Sequence, residues 1–150
     1  MVESPKVFLD ADVIFAGSAA PSIQGASYVV LRMGEITLLD CITSEQVITE
    51  VERNLQEKLP NALPEFRLLV KRCVQVVSDP DPDALDAHVG QADPKDLPIL
   101  VAAIRENCSH LLTFNARHFN PAGSRPIVQT PGEFLQTIRS RLSALSSAEE

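Results

Sequence analysis

The stretch VFLDADVIF, residues 7–15, carries the first side chains whose type and spacing could do chemistry. Asp10 and Asp12 follow a short apolar run, Val7-Phe8-Leu9. A short apolar run that ends in acid reads as a buried parallel strand delivering carboxylates to the carboxyl edge of a sheet. Open α/β sheets bind ligands at that edge. If strand geometry continues to residue 12, Asp10 and Asp12 point to the same side, because side chains alternate with period two. Two like charges so placed repel and lose hydration unless a cation sits near them. A divalent metal is therefore the first hypothesis. The alternative is that Asp12 caps a helix starting at Val13 while Asp10 is solvated at a strand end. Residues 7–15 leave both readings open.

Further acids and amides stand near the other expected strands. Glu50 lies in the first half of the helix after the second strand, and Asp93 and Asp96 begin a very apolar helix. Thr113 ends the fourth strand and Asn115 follows it. Mg²⁺ or Mn²⁺ takes hard oxygen ligands, usually one or two carboxylates with waters ordered by further acids. Acids scattered along the chain but gathered at one sheet edge would supply that set. Each also has a plain structural use. Asp96 is in place to be an N-cap and Asp93 a turn residue before Pro94. The helical wheel does not favour Glu50 over Glu52, and both fit a solvated face. Asn115 fits a turn, and the Thr113 hydroxyl can satisfy backbone as well as a carboxylate. His88, His110 and His118 show no ligand spacing. His110 reads as structural, and His118, beside Arg117, as a phosphate contact.

The elements that must position these residues alternate between strand and helix. Val13–Ser18 opens a helix, punctuated by Pro21 and Gly25. Ala26–Met33 has a helical apolar face, closed by Gly34 as a C′ residue. Ile36–Cys41 reads as the second strand. Thr43 then opens a helix with Gln46 as its capping-box partner. Val47, Ile48, Val51, Leu55 and Leu59 form its apolar stripe, and Pro60 ends it. Leu63–Cys73 is another helix and Val74–Ser78 the third strand. The acidic run at residues 79–83 is a turn, with a short helix following to Val89. The apolar helix runs from about Asp96 to Asn107, with Pro98 confined to its first turn. His110–Phe114 and Pro126–Gln129 are strands four and five. Thr130-Pro131-Gly132-Glu133 reads as a capping box with proline at N1, opening a last helix to about Leu145. The SSAEE tail is polar and expected to fray. This alternation predicts an α/β fold: a three-layer α/β/α sandwich around a mostly parallel, Rossmann-like sheet of four to five strands.

A chain of 150 residues is expected to form one domain over residues 1–150, with 146–150 as tail. The hydrophobic fraction of 45% and charged fraction of 22% are those of an ordinary globular protein. No apolar run approaches the ~20 residues of a membrane span, and MVESPK lacks the features of a signal peptide. Cys41, Cys73 and Cys108 are odd in number and have no zinc spacing, so reduced, buried thiols in the cytoplasm are expected. The net charge of −7 argues against broad nucleic-acid affinity and fits a carboxylate-rich cation site.

Taken together, the chain resembles a PIN domain, the metal-dependent nuclease fold found in the toxins of VapBC-type toxin–antitoxin modules. The resemblance spans roughly Val7 to Ile138. It rests on the order and spacing of VFLDADVIFAG, TSEQVITEVERNL with Glu50, DPKDLPILVAAI with Asp96, and HLLTFNARHF with Thr113 and Asn115. The closing IVQTPGEFL is similar to the family's last strand and helix. The resemblance implies that Asp10, Glu50 and Asp96 form the family's acidic triad. The family often has Asn where Asp12 stands, and a fourth acid around residues 113–119. Here Asn115 and His118 stand at those positions, so that acid is absent. Asp12 or Asp93 would have to compensate, and the number of metals is left open.

The activity implied is hydrolysis of RNA phosphodiester bonds. Asp10 and Asp96 would hold Mg²⁺ or Mn²⁺, Glu50 would order the attacking water, and Thr113 and Asn115 would support the site. Lys95, Arg117, His118 and Arg125 are the candidates for backbone phosphates. The resemblance also implies a homodimer and a possible antitoxin partner, through the helices at residues 26–33 and before Cys73. Two other classes stand beside this one. The opening stretch is similar to the first motif of haloacid-dehalogenase-like phosphatases, in which Asp10 would be the nucleophile and Asp12 the acid/base. No lysine after a later strand completes that motif. The missing fourth acid admits instead a non-catalytic PIN-like binding protein.

Overall fold

The structure, a computed structural model, describes residues 4–19 and 25–148. Pro21 and the end of the SSAEE tail, residues 149–150, lie outside the described residues. Among the described residues five strands form one fully parallel sheet: β1 (Lys6–Leu9), β2 (Asp40–Ser44), β3 (Gln75–Val77), β4 (His110–Leu112) and β5 (Ile127–Gln129). Their spatial order is β3-β2-β1-β4-β5. Apolar residues on both faces suit the central strands to burial: Val7, Phe8, Leu9, Leu111 and Leu112 are wholly enclosed. The outer strands expose Val76 and Ile127.

Among the described residues seven α-helices flank the sheet: α1 (Ala11–Ala19), α2 (Ala26–Glu35), α3 (Glu45–Lys58), α4 (Leu63–Cys73), α5 (Pro82–Leu85), α6 (Leu97–Arg105) and α7 (Pro131–Ala148). Helices α1 to α4 pack on one another, and α7 returns to α2. The chain steps from β1 out to β2 and β3, then crosses back to β4 on the far side of β1. The crossover carries α6, which packs on β2 and β4; such connections between parallel strands are right-handed as a rule. The strand order therefore reverses at β1. The crevice beyond the carboxyl ends of β1 and β4 is the topological switch point, where such sheets hold ligands.

Several boundaries differ from the sequence expectation, each for a local reason. The strand ends at Leu9 and α1 starts at Ala11, so strand geometry does not carry Asp12 to the side of Asp10. The helix α2 continues through Gly34 to Glu35, and Thr37 turns the chain with φ 65°, so β2 begins at Asp40 rather than Ile36. Gly34 is thus not a C′ residue. A Cβ there would stand 2.5 Å from the Cys73 carbonyl oxygen and 2.9 Å from Cys41 Sγ. Gly34→Ala is expected to destabilise the protein by about 1–3 kcal/mol despite its better helix propensity, because backbone at that distance must move; a denaturant midpoint measures this. Thr43 lies inside β2, not at a helix start. Its hydroxyl donates to the Leu9 carbonyl at 2.8 Å and ties the two central strands. The expected capping box at α7 is present: Thr130 N–H donates to Glu133 Oε1 at 2.9 Å and Glu133 N–H to Thr130 Oγ1 at 3.1 Å. That helix runs to Ala148, past the expected end.

The three cysteines are free and buried. Burial pushes Cys41 and Cys108 up to about 12 and raises Cys73, so none is a reactive thiolate. Among the described residues no helix is long and apolar enough to cross a membrane.

Candidate active site

Asp10 is the first residue past β1. Its amide donates to the Leu112 carbonyl at 3.0 Å, continuing the β1–β4 ladder by one bond and fixing the carboxylate at the switch point. Only 7% of the residue is exposed. Oδ1 accepts the Ala11 N–H at 2.7 Å, and Oδ2 accepts the hydroxyl of fully buried Thr113 at 2.8 Å. Thr113 Oγ1 in turn accepts the Asn115 N–H at 3.0 Å. Burial first and the neighbouring Asp12 second push the Asp10 carboxyl up to about 7, against the lowering pull of those two hydrogen bonds.

Asp12 sits in the first turn of α1 and does not cap it. Oδ2 accepts the Phe114 N–H at 3.1 Å and Asn115 Nδ2 at 3.0 Å. The acid therefore pins the loop after β4 to the start of α1. Burial raises its carboxyl too, and Asp96 adds to the rise.

Asp96 occupies the N-cap position of α6, yet its side chain makes no capping bond. The backbone does that work: Leu97 N–H donates to the Asp93 carbonyl, and the Ile99 and Leu100 amides donate to the Asp96 carbonyl. The carboxylate lines the cleft instead. Glu50 reaches the same cleft from α3. Its neighbour Glu52 pairs with Arg67 at 3.0 Å, which separates two acids the helical wheel could not. The start of α3 is fixed by Asp79, whose Oδ1 accepts the Gln46 N–H at 2.9 Å, in place of the expected Thr43–Gln46 box.

The result is a small polar cleft of about 70 Å³ lined by Asp10, Asp12, Glu50, Lys95, Asp96, Asn115 and His118. A groove of about 460 Å³ shares Glu50, Lys95 and Asp96 with it and adds Gln46, Thr49, Arg53 and Asp79. Asp93 is more exposed and stands beside the cleft, with Oδ2 at 3.6 Å from His118 Nδ1. Arg117 is exposed on the turn that carries His118. Arg125 is not brought to this site. It lines a separate cleft with Lys6, Ser109, His110 and Arg141 at the other edge of the sheet. A residue just before a parallel strand lies at the amino edge, and Arg125 precedes β5. His110 is structural: its ring meets Phe134 edge-on, with centroids 4.9 Å apart.

The sequence reading did not single out Arg53, and it expected His118 only as a phosphate contact. Arg53 lies three residues beyond Glu50 on α3 and faces the same groove. His118 lies 3.3 Å from Asp96 Oδ2 through Nδ1, a meeting no sequence spacing announces.

The donor set fits a divalent cation. Asp12 Oδ1 and Asp96 Oδ2 are buried oxygens without a hydrogen-bond partner. A buried carboxylate oxygen left unpaired is costly, and the four acids Asp10, Asp12, Glu50 and Asp96 on one cleft add mutual repulsion. A hard cation among them relieves both.

The PIN domain family profile matches residues 6–117. No curated protein sequence matches the chain. Among solved structures, the chain is similar to VapBC2 from Rickettsia felis bound to a DNA fragment from its promoter, at 16% identity and TM-score 0.57, covering 83% of this chain and 96% of that one. It is also similar to VapC20 from Mycobacterium tuberculosis, a sarcin-ricin loop cleaving toxin, at 13% identity and TM-score 0.53, covering 73% of this chain and 90% of that one. At these identities the likeness to the two structures shows the fold alone.

Proposed function

This chain belongs to the PIN domain family, and on that premise we propose that it is a single-domain, Mg²⁺- or Mn²⁺-dependent endoribonuclease of the toxin type. The observation that carries the reading is the convergence of Asp10, Glu50 and Asp96, from three separate elements, on one cleft at the switch point. Asp10 and Asp96 hold the cation. A bound divalent cation supplies positive charge for the phosphate and makes water more acidic. Glu50, on an exposed face of α3, orients the attacking water. Lys95 and Arg53 line the groove that continues from the cleft, where they take backbone phosphates of a single strand, and Arg117 extends that path. Thr113 and Asn115 hold Asp10 and Asp12 rigid, so that little rearrangement accompanies binding.

The sarcin-ricin loop cleaved by VapC20 makes structured RNA the first substrate to try. The exposed Val29 on α2 and Leu68 on α4 offer apolar contacts for a second copy or for an antitoxin segment. Family membership sets the phosphatase reading aside; a non-catalytic PIN-like role is the reading the assay must exclude. Purified protein is expected to cleave RNA with Mn²⁺, to lose cleavage in chelator, and to lose at least about a hundredfold in rate in Asp96→Asn. Cleavage that persists in chelator or in that variant contradicts the proposal.

A further inference from the structure

We propose that the His118 imidazole is itself a ligand of the cation site, beside Asp96 and Asp93, and that this nitrogen donor makes the centre prefer Mn²⁺ to Mg²⁺. The inference rests on the metal-dependent reading above and names the metal and the donor that selects it.

The geometry is that of a binding cluster. His118 Nδ1 lies 3.3 Å from Asp96 Oδ2 and 3.6 Å from Asp93 Oδ2. One donor atom from each of the three residues falls within 4.8 Å of the others. Asp96 Oδ2 is buried and has no hydrogen-bond partner, although the imidazole nitrogen stands beside it. An Nδ1–H aimed at that oxygen would have closed the bond. A separation of 3.3 Å without a hydrogen bond is one at which two ligands of a single cation can stand.

The backbone that carries the ring is also held in place. Asp93 N–H donates to the His118 carbonyl at 3.0 Å, and Asn120 N–H donates to the Gln91 carbonyl at 2.6 Å. Ala92 and Phe119 form an antiparallel bridge, and Phe119 is anchored in the core. The turn carrying His118 is thereby stapled to the segment carrying Asp93 and Asp96. Donors carried on backbone fixed before binding lose less freedom when a cation arrives.

Chemistry then decides the preference. Mg²⁺ demands oxygen ligands in near-ideal octahedral geometry, whereas first-row transition cations accept imidazole. A neutral ring also brings one less negative charge than a carboxylate, which weakens the hold on a hard ion most. The competing role for His118 is a protonated counter-charge to Asp93 and Asp96, which would oppose cation binding.

Electron paramagnetic resonance of free and bound Mn²⁺ at pH 8, with Mg²⁺ as competitor, separates these roles without any cleavage assay. The wild type is expected to bind Mn²⁺ at least about tenfold more tightly than Mg²⁺, and to show nitrogen hyperfine coupling on the bound ion. His118→Ala is expected to lose about tenfold in Mn²⁺ affinity. His118→Asp is expected to keep cation binding, lose the nitrogen coupling and narrow the Mn²⁺/Mg²⁺ ratio. Absence of nitrogen coupling in the wild type, or Mn²⁺ affinity unchanged or raised in His118→Ala, overturns the proposal. If the wild type binds both cations equally and the His118 variants leave this unchanged, only the present inference fails. If it binds neither, the metal-dependent reading fails with it.

Discussion

Asp10→Asn is expected to stabilise the cation-free protein and inactivate it in the same step. Asp10 is 7% exposed, and its carboxyl is pushed up to about 7 from 3.8, by burial first and by Asp12 second. Between those two values the native state holds a proton that the unfolded chain has released. The stability linked to this group is therefore fully present below about pH 4 and is lost as pH rises through about 7. Three pKa units correspond to at most about 4 kcal/mol. Asparagine keeps an acceptor for the Ala11 N–H and a polar partner for Thr113 while it drops the charge. In chelator at pH 8 the variant is expected to melt roughly 5 °C or more above the wild type, and the gap is expected to close toward pH 4. RNA cleavage is expected to fall by about a hundredfold or more. A residue that merely supported the fold would lose stability on substitution. Thermal scans at the two pH values, beside a cleavage assay, check both signs, and a variant less stable at pH 8 contradicts this account of the site.

The second large effect is the response to metal. Asp10 and Asp12 both have raised carboxyl pKa values, through burial above all. A cation must displace the proton that Asp10 retains below about pH 7. Affinity is therefore expected to fall about tenfold per pH unit below that point. At a hundred times its dissociation constant a ligand stabilises by about 2.7 kcal/mol, which raises the melting temperature of a chain this size by roughly 5–10 °C. Mn²⁺ is expected to give that rise at pH 8, little at pH 5.5, and none in Asp10→Asn. An equal rise at both pH values would place the ion away from these acids.

Much of this site was legible because its acids stand at ends of elements that announce themselves. Leu63–Cys73 has the bounds its apolar spacing predicts, and the Thr130–Glu133 box opens α7 as its residue types require. What was hidden depends on tertiary contact. ITLLDC looks like a strand from its first residue, yet Ile36 and Leu38 are exposed because α2 continues and Thr37 turns the chain. Thr43 has the residue type of a helix start, but it lies in β2 and bonds Leu9. Ser44 ends β2 at the N-cap position without a side-chain cap, and Asp79 from a distant loop bonds the Gln46 amide. Asp12 reaches the site from a helical turn rather than from strand alternation, so the right location came from the wrong geometry. Arg125 was misplaced although the rule was available, since chain preceding a parallel strand lies at the amino edge. His118 meets Asp96 across 22 residues, a distance at which composition carries no signal.

The central claim is that Asp10 and Asp96 bind one cation at the end of β1. A crystal grown with Mn²⁺ and measured at a wavelength with strong manganese anomalous scattering tests it directly. The account predicts an anomalous peak in the cleft between the Asp10 and Asp96 carboxylates, on the side facing His118. A map with no peak there, or with its manganese bound elsewhere, would contradict it.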